Sequence, residues 1–144
     1  MDDVIRKKMV TASITVIVLF LLMDYVLHGI LLKGLYAETA SLWRVPEALG
    51  RLMWIFWVVD AIMALLLVWL FAKGWEAGKP WLGQGFRFGL ILGLLFALPM
   101  GFSMYAMIPI PFSLALGWFA GALVEFVIAS LAAAWVFRAG TVIP

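Results

Sequence analysis

Four ionisable side chains stand inside long apolar stretches of this sequence. Asp24 and His28 lie four residues apart in the first stretch, Asp60 lies in the second and Glu125 in the last. A charge at the centre of a bilayer costs roughly 2.5–3.5 kcal/mol on insertion scales, and ionisable residues at such positions usually bind ions, carry protons or pair with one another. The pattern therefore predicts that these side chains bind ions, carry protons or pair with one another in a hydrophobic environment.

These four residues are expected to form a site for a proton or a metal cation. Carboxyl groups shielded from water exchange protons near neutral pH, or ionise to hold a cation. Asp24 and His28 share one helix face and could be adjacent metal ligands, with Asp60 and Glu125 supplying further oxygens. Thioethers for monovalent copper could come from three methionines, whose commoner role is packing: Met100, Met104 and Met107. The alternative is that the acids stay protonated and hydrogen-bond between helices, or receive charged groups from another subunit.

The composition identifies the elements that position these groups. Hydrophobic residues make up 67% of the chain and charged residues 12%, whereas a soluble domain has about 25% charged residues. Four stretches match the roughly 20 apolar residues that a helix needs to span a bilayer: 9–32, 51–72, 86–108 and 112–137. We predict an all-α, multi-pass membrane protein with a four-helix bundle, in which residues 1–144 form one transmembrane domain. Residues 33–50 are expected to form an interfacial outer loop.

Charge beside the spans predicts the orientation. Seven Lys and Arg residues flank one side of the predicted bundle: Arg6, Lys7, Lys8, Lys73, Lys79, Arg87 and Arg138. Three flank the other side: Lys33, Arg44 and Arg51. Cytoplasmic loops carry the excess of Lys and Arg, so both termini are expected in the cytoplasm.

Small residues recur at every fourth position in the last two spans. The first row is Gly85, Gly89, Gly93, Ala97 and Gly101. The second is Ser113, Gly117, Gly121, Ala129 and Ala133, with Glu125 at the one position of that row that is not small. Such rows allow close backbone approach, which is a main source of helix association in lipid. The short loop favours packing of span three against span four, although the same rows could make a dimer. Pro99 should kink span three because it removes a backbone hydrogen bond.

Several function classes are disfavoured by what the sequence lacks. It has no cysteine, and its single histidine cannot supply the two axial ligands of a bis-histidine haem site. It contains no phosphate-binding loop, nucleophile elbow, zinc-protease motif or dinucleotide fingerprint. The net charge of +2 and pI near 9.2 come from scattered residues, so nucleic-acid binding is not predicted. An enzyme acting on lipid or quinone is the third possibility, behind the two given below.

The pattern of Gly85, Gly89, Gly93, Pro99 and Tyr105, followed by Pro109 and a short fourth span, resembles small four-span bacterial membrane proteins classed as domains of unknown function. The resemblance covers residues 58–137. It implies a bacterial inner membrane and implies no activity. In size and span count the chain is also similar to small multidrug-resistance transporters, which carry a functional Glu in the first span. This sequence has Asp24 and His28 there instead, which makes drug export doubtful.

Two functions from different classes follow. The first is an inner-membrane protein that binds or translocates a cation or proton at Asp24, His28, Asp60 and Glu125. The second is a non-catalytic accessory subunit of a larger membrane complex, indicated by the rows of small residues. In either case the expected partners are lipid, further copies of the chain or other membrane subunits.

Overall fold

The structure is a computed structural model that describes residues 3–138, and all regular secondary structure in that range is helical. The α-helices are α1 (Asp3–Asp24), α2 (Lys33–Glu38), α3 (Pro46–Lys73), α4 (Trp81–Leu98), α5 (Met104–Met107) and α6 (Phe112–Phe137). Two π-helical segments, Tyr25–Leu31 and Pro99–Ser103, continue α1 and α4, and a short 3-10 turn covers Ala40–Leu42.

Four helical segments are long and apolar enough to cross a membrane: Asp3–Leu31, Pro46–Lys73, Trp81–Met107 and Phe112–Phe137. The prediction of an all-helical chain with four such helices is therefore confirmed. Three of the four segments begin five or six residues before the predicted spans, because an apolar run marks the lipid-facing part of a helix and not its polar ends. Pro46 starts α3 at the first helical position, where its missing N–H leaves no hydrogen bond unmade.

Helix α6 is the central element and packs against α1, α3 and α4. The ring of Phe20 on α1 meets that of Phe126 edge-on at 5.6 Å. At the end of the bundle that holds residues 3 and 138, the ring of Phe71 on α3 lies 5.9 Å from that of Phe137. We call this end the terminal end and the other end the distal end.

The glycines of α4 form its contact with α6. A Cβ atom built on Gly89 would lie 2.7 Å from Val127 Cα and 2.8 Å from the Phe126 carbonyl oxygen. Real Cβ contacts are not this short, so the two backbones approach more closely than any residue but glycine allows. Gly85 and Gly93 are buried in the same interface.

The glycines of α6 face a different neighbour. A Cβ atom on Gly117 would meet the side chain of Leu32, and one on Gly121 would meet Leu27. These two positions therefore receive leucines from the distal end of the first span and do not pack against α4. The two rows of small residues lie on two separate interfaces of α6.

Pro99 introduces a π-helical turn in the third membrane-length helix. The turn runs from Pro99 to Ser103, and proline is a known cause of such local rearrangement because it cannot donate a backbone hydrogen bond. Gly101 within the turn is buried, and a Cβ atom there would lie 2.9 Å from the Ala115 carbonyl oxygen. The helix thus stays in contact with α6 through its distortion.

Gln84 organises the loop between α3 and α4. Its side-chain oxygen accepts a hydrogen bond from Glu76 N at 2.8 Å, and its amide nitrogen donates to the carbonyl oxygens of Glu76 and Lys79 at 3.1 Å each. The hydrogen bond from the Lys79 ammonium lowers the pKa of the exposed Glu76 carboxyl, and the charges of Lys79 and Arg87 act in the same direction. The buried amide therefore holds a charged loop at the terminal end.

Ser130 provides a test of the α4–α6 interface. Its Oγ is the one fully buried side-chain oxygen or nitrogen without a hydrogen-bond partner in residues 3–138. An unpaired buried polar group costs about 1–3 kcal/mol, so Ser130→Ala should leave the stability unchanged or raise it by about 1 kcal/mol. Thermal unfolding in detergent would measure this. Thr15→Val is the control, because it removes a hydroxyl that donates to the Thr11 carbonyl oxygen at 2.9 Å; a larger loss in Ser130→Ala than in this control would contradict the expectation.

Candidate functional site

The acids of the membrane-length helices lie at the boundary between two apolar clusters. The larger cluster fills the terminal half of the bundle and includes Phe20, Ala64 and Phe126. The smaller one lies at the distal end around Leu114 and Trp118. Along the chain, Asp24 and Asp60 are each one turn from a member of the larger cluster, and Glu125 immediately precedes Phe126. Three helices thus each bring one carboxyl group to the distal edge of the core.

The three carboxyl groups lie close enough to interact electrostatically. The charge of Asp24 acts on Asp60, and the charges of Asp24 and Asp60 both act on Glu125. These groups stand on α1, α3 and α6, and each is within range of the charge of another; that they share one site stays a prediction. In a medium of low dielectric constant, neighbouring negative charges repel one another. Ionisation of one carboxyl group therefore disfavours ionisation of the others.

Neither Asp60 nor Glu125 has a protein partner in the part of the chain that the structure describes. No hydrogen bond or ion pair within residues 3–138 involves either carboxyl group. If these acids stabilised the bundle as protonated hydrogen-bond donors between helices, each would need an acceptor on a neighbouring helix. Both residues are half-buried, and their carboxyl oxygens are not fully enclosed by protein.

Helix α3 is buried in its terminal half and exposed in its distal half. The buried residues of α3 all lie between Ala64 and Ala72. The seven consecutive residues 53–59 are exposed, on every side of the helix. Asp60 is half-buried and directly follows this exposed segment. Its carboxyl group therefore lies near the boundary between the two halves of α3.

The imidazole ring of His28 lies between Asp24 on one side and Tyr36 of α2 on the other. His28 Nε2 lies 3.7 Å from Asp24 Oδ1, and both side chains are about one-third exposed. His28 Nδ1 lies 2.6 Å from the hydroxyl oxygen of Tyr36 on α2. Asp24 directly precedes the π-helical segment Tyr25–Leu31, and His28 lies within it. π-helical turns are frequent at functional sites.

Tyr36 links this histidine to α6. The indole N–H of Trp118 donates a hydrogen bond to the Tyr36 hydroxyl oxygen at 2.6 Å. Because an indole can only donate, the Tyr36 oxygen accepts there and its own hydrogen is free to be donated to His28 Nδ1. With Nδ1 as the acceptor, a neutral His28 carries its hydrogen on Nε2, the nitrogen that faces Asp24.

The environment of Tyr36 keeps its hydroxyl hydrogen in place. Burial raises the pKa of the Tyr36 phenol above its ordinary value of 10.0; the hydrogen bond from Trp118 opposes this change, and the charge of Asp24 adds to it. Tyr36 is therefore protonated at neutral pH and can act as donor to His28 while accepting from Trp118. Hydrogen bonds therefore join His28 to Tyr36 and Tyr36 to the buried Trp118, and Asp24 Oδ1 lies 3.7 Å from His28 Nε2.

Aromatic packing fixes the position of Tyr36. The Trp43 ring lies edge-on to Tyr36 at 5.5 Å and edge-on to Trp118 at 6.0 Å. The indole N–H of Trp43 donates to Thr39 Oγ1 at 2.9 Å. The outer loop thus folds onto the distal end of α6, and Tyr36 is held between two tryptophans.

The described residues do not assemble a metal centre from the predicted ligands. In residues 3–138 there is no group of three or more His, Cys, Asp or Glu side chains arranged to hold a metal ion. Asp24 and His28 are adjacent but have no third ligand of these types. The methionines considered as soft ligands, Met100, Met104 and Met107, are all exposed.

No relative identifies the chain. No protein-family model matches it, and comparisons with curated proteins and with solved structures gave no significant match. Any function must therefore be argued from the arrangement of its own residues.

Sequence reasoning missed the part played by Tyr36 and Trp118. Tyr36 was interpreted as an interfacial loop residue, and Trp118 was not singled out. The available signal was the N–H group of Trp118, which needs an acceptor when the ring is buried in a membrane-length helix. That acceptor lies 82 residues away in sequence, and only the fold reveals it.

Replacing Tyr36 by phenylalanine should weaken the distal end of the bundle. The change removes the acceptor of the Trp118 N–H, whose ring is only 7% exposed, and an unpaired buried donor costs about 1–3 kcal/mol. We expect a lower melting temperature and altered Trp fluorescence. Tyr105→Phe is the control, because Tyr105 is exposed and should tolerate the loss of its hydroxyl. Equal melting temperatures for the two variants would argue against the hydrogen-bonded network.

Proposed function

We propose that this chain is an integral membrane protein that binds protons at Asp24, Asp60 and Glu125 and translocates them across the membrane. His28 and Tyr36 connect this site to the distal surface. We further propose that the protein is a multi-pass protein of the bacterial inner membrane, with both termini in the cytoplasm. The distal end of the bundle then faces outward.

The observation that supports this proposal best is the mutual interaction of three carboxyl groups from three helices. Acids that only made the surface polar would not be expected at the edge of an apolar core on three different helices. Groups that interact strongly titrate together and change the proton occupancy of the whole cluster. Such a cluster can take up a proton from one side and release it to the other.

The surroundings of the cluster fit this function. Within residues 3–138, the carboxyl groups of Asp60 and Glu125 make no hydrogen bond. A proton on either group can therefore be released without breaking a hydrogen bond between helices. His28 lies between two polar groups: its Nε2 is 3.7 Å from Asp24 Oδ1, and its Nδ1 is 2.6 Å from the Tyr36 hydroxyl oxygen. Histidine is suited to this task because its unperturbed charge change falls between pH 5 and 8.

Proton flux into liposomes provides the test. Purified protein would be reconstituted into liposomes that contain a pH-sensitive dye, and a potassium gradient with an ionophore would impose a membrane potential. We expect faster internal pH change than in protein-free liposomes, together with an infrared signal from protonated carboxyl groups that titrates with pH. Flux no faster than in protein-free liposomes, with no titrating carboxyl signal, would contradict the proposal.

A second candidate function is that of an accessory subunit in a membrane complex or homo-oligomer. It is favoured by the distal half of α3, where residues 53–59 are exposed on all sides and include Trp54 and Trp57. A helix that is exposed on all sides over two turns is available to another subunit as well as to lipid. Purification in a mild detergent would test this: a stoichiometric partner or defined oligomer supports it, and a monodisperse single chain with proton flux opposes it.

A further inference from the structure

A groove runs between α1 and α3 in the terminal half of the bundle, away from the carboxyl groups. It has a volume of about 540 Å³ and nearly all of its wall is apolar. Its lining includes Arg6, Val10, Ile14 and Ile17 of α1, and Leu66 and Trp69 of α3. The one charged residue in the lining, Arg6, lies at the end of the groove nearest the N-terminus.

The length of the groove matches one leaflet of a bilayer. From Arg6 to Ile17 the helix advances eleven residues, or about 16 Å at 1.5 Å per residue. Half of a hydrocarbon core of about 30 Å is about 15 Å. An acyl chain that lies along the groove would therefore begin at Arg6 and end near the middle of the membrane.

The charges at the terminal end of the groove favour an anionic headgroup. Within the part of the chain that the structure describes, the Arg6 guanidinium donates one hydrogen bond, to Asp3 Oδ1 at 2.9 Å. Both partners of this ion pair are more than 60% exposed, so the pair is weak and leaves other guanidinium N–H groups for a phosphate. Lys73 Nζ lies 5.8 Å from the ring centroid of Trp69, which places a second cation beside a residue of the groove wall.

We propose that this groove binds one acyl chain of an anionic phospholipid, whose phosphate is held by Arg6 and Lys73. The apolar walls bind the chain, and the two cations select the headgroup. The inference requires that the helices span a membrane, but it does not depend on proton transport or on which side the termini face. It makes the lipid of the N-terminal leaflet a bound component of the bundle, filling the space between α1 and α3.

Native mass spectrometry of the detergent-solubilised protein would test the proposal. The probes are phosphatidylglycerol and phosphatidylcholine with identical acyl chains. A basic residue near an anionic lipid surface contributes about fivefold in affinity. We therefore expect a single phosphatidylglycerol to bind in preference to phosphatidylcholine, and Arg6→Gln with Lys73→Gln to reduce that preference by at least about tenfold. Asp3→Asn, which removes the competing carboxylate, should strengthen phosphatidylglycerol binding.

Two further variants separate headgroup from chain. Arg87→Gln is the charge-matched control: Arg87 is exposed and pairs with Glu76 at the same end of the bundle, but it does not line the groove, so this variant should retain the preference. Ile14→Trp fills the groove from its exposed wall and should remove bound lipid of both types; Leu66→Trp fills it from the opposite wall should the first variant fail to fold. Equal binding of the two lipids, or a preference that survives in the Arg6→Gln, Lys73→Gln variant, would overturn the proposal.

Discussion

Replacing Gly89 with alanine is expected to destabilise the protein more than the same replacement at any exposed glycine of α4. The new Cβ atom would lie 2.7 Å from Val127 Cα and 2.8 Å from the Phe126 carbonyl oxygen. Both are backbone atoms of α6 and cannot turn aside as a side chain can. Forcing an extra carbon into a packed interface typically costs about 1–3 kcal/mol and at times more, and we expect a loss at the upper end of that range.

Gly83 on the same helix supplies the matched control. A Cβ atom at Gly83 would have nothing within 4 Å. Gly83→Ala should therefore keep the melting temperature or raise it, because alanine favours a helix over glycine by up to about 1 kcal/mol. Gly93→Ala should fall between the two, since its nearest contact is the flexible end of Leu123 at 3.0 Å.

Thermal unfolding in detergent and fluorescence-detected gel filtration would measure this series. We expect Gly83→Ala to have the highest melting temperature, Gly93→Ala an intermediate one and Gly89→Ala the lowest. If the Gly89→Ala and Gly83→Ala proteins had the same melting temperature, α4 and α6 would not be in backbone contact. The test concerns packing alone and is independent of any function.

Replacing Glu125 with glutamine should abolish proton flux while leaving the fold intact. Glutamine has nearly the same size and cannot exchange a proton in this way. Glu125 is half-buried and makes no hydrogen bond within residues 3–138, so no structural interaction is lost with its charge. A positioned proton-transfer group typically contributes a factor of 10²–10⁴ to a rate, and we expect at least about a hundredfold reduction in flux.

The electrostatic coupling of the site extends this prediction to its neighbours. Asp60→Asn should also reduce flux, and it should shift the pH at which the remaining carboxyl groups titrate, because Asp60 acts on Glu125. Glu47→Gln is the control: Glu47 is exposed in the first turn of α3 and should leave flux unchanged. Wild-type flux in a folded Glu125→Gln protein would remove Glu125 from the transport path.

Parts of the site could be foreseen from the sequence, and parts could not. Asp24, Asp60 and Glu125 stood out because an ionisable group is rare in a membrane-length apolar run. Their electrostatic contact needed three helices to be placed relative to one another. The exposure of residues 53–59 next to Asp60 depends on how α3 packs, because in the sequence these residues belong to an ordinary apolar span.

The four membrane-compatible helices and an irregularity at Pro99 could be predicted from local sequence. The predicted irregularity was a kink, and the structure has a π-helical segment there. Both are local properties: long apolar runs must satisfy their backbone hydrogen bonds internally, and a proline removes a donor wherever it stands. Which partner each helix surface contacts became known only from the packed bundle. Gly117 and Gly121 contact leucines of the first span and not α4, and Trp118 finds its acceptor in Tyr36. The reason is that periodicity along a helix tells which residues share a face, but in an apolar chain lipid-facing and protein-facing surfaces have the same hydropathy, so only packing distinguishes them.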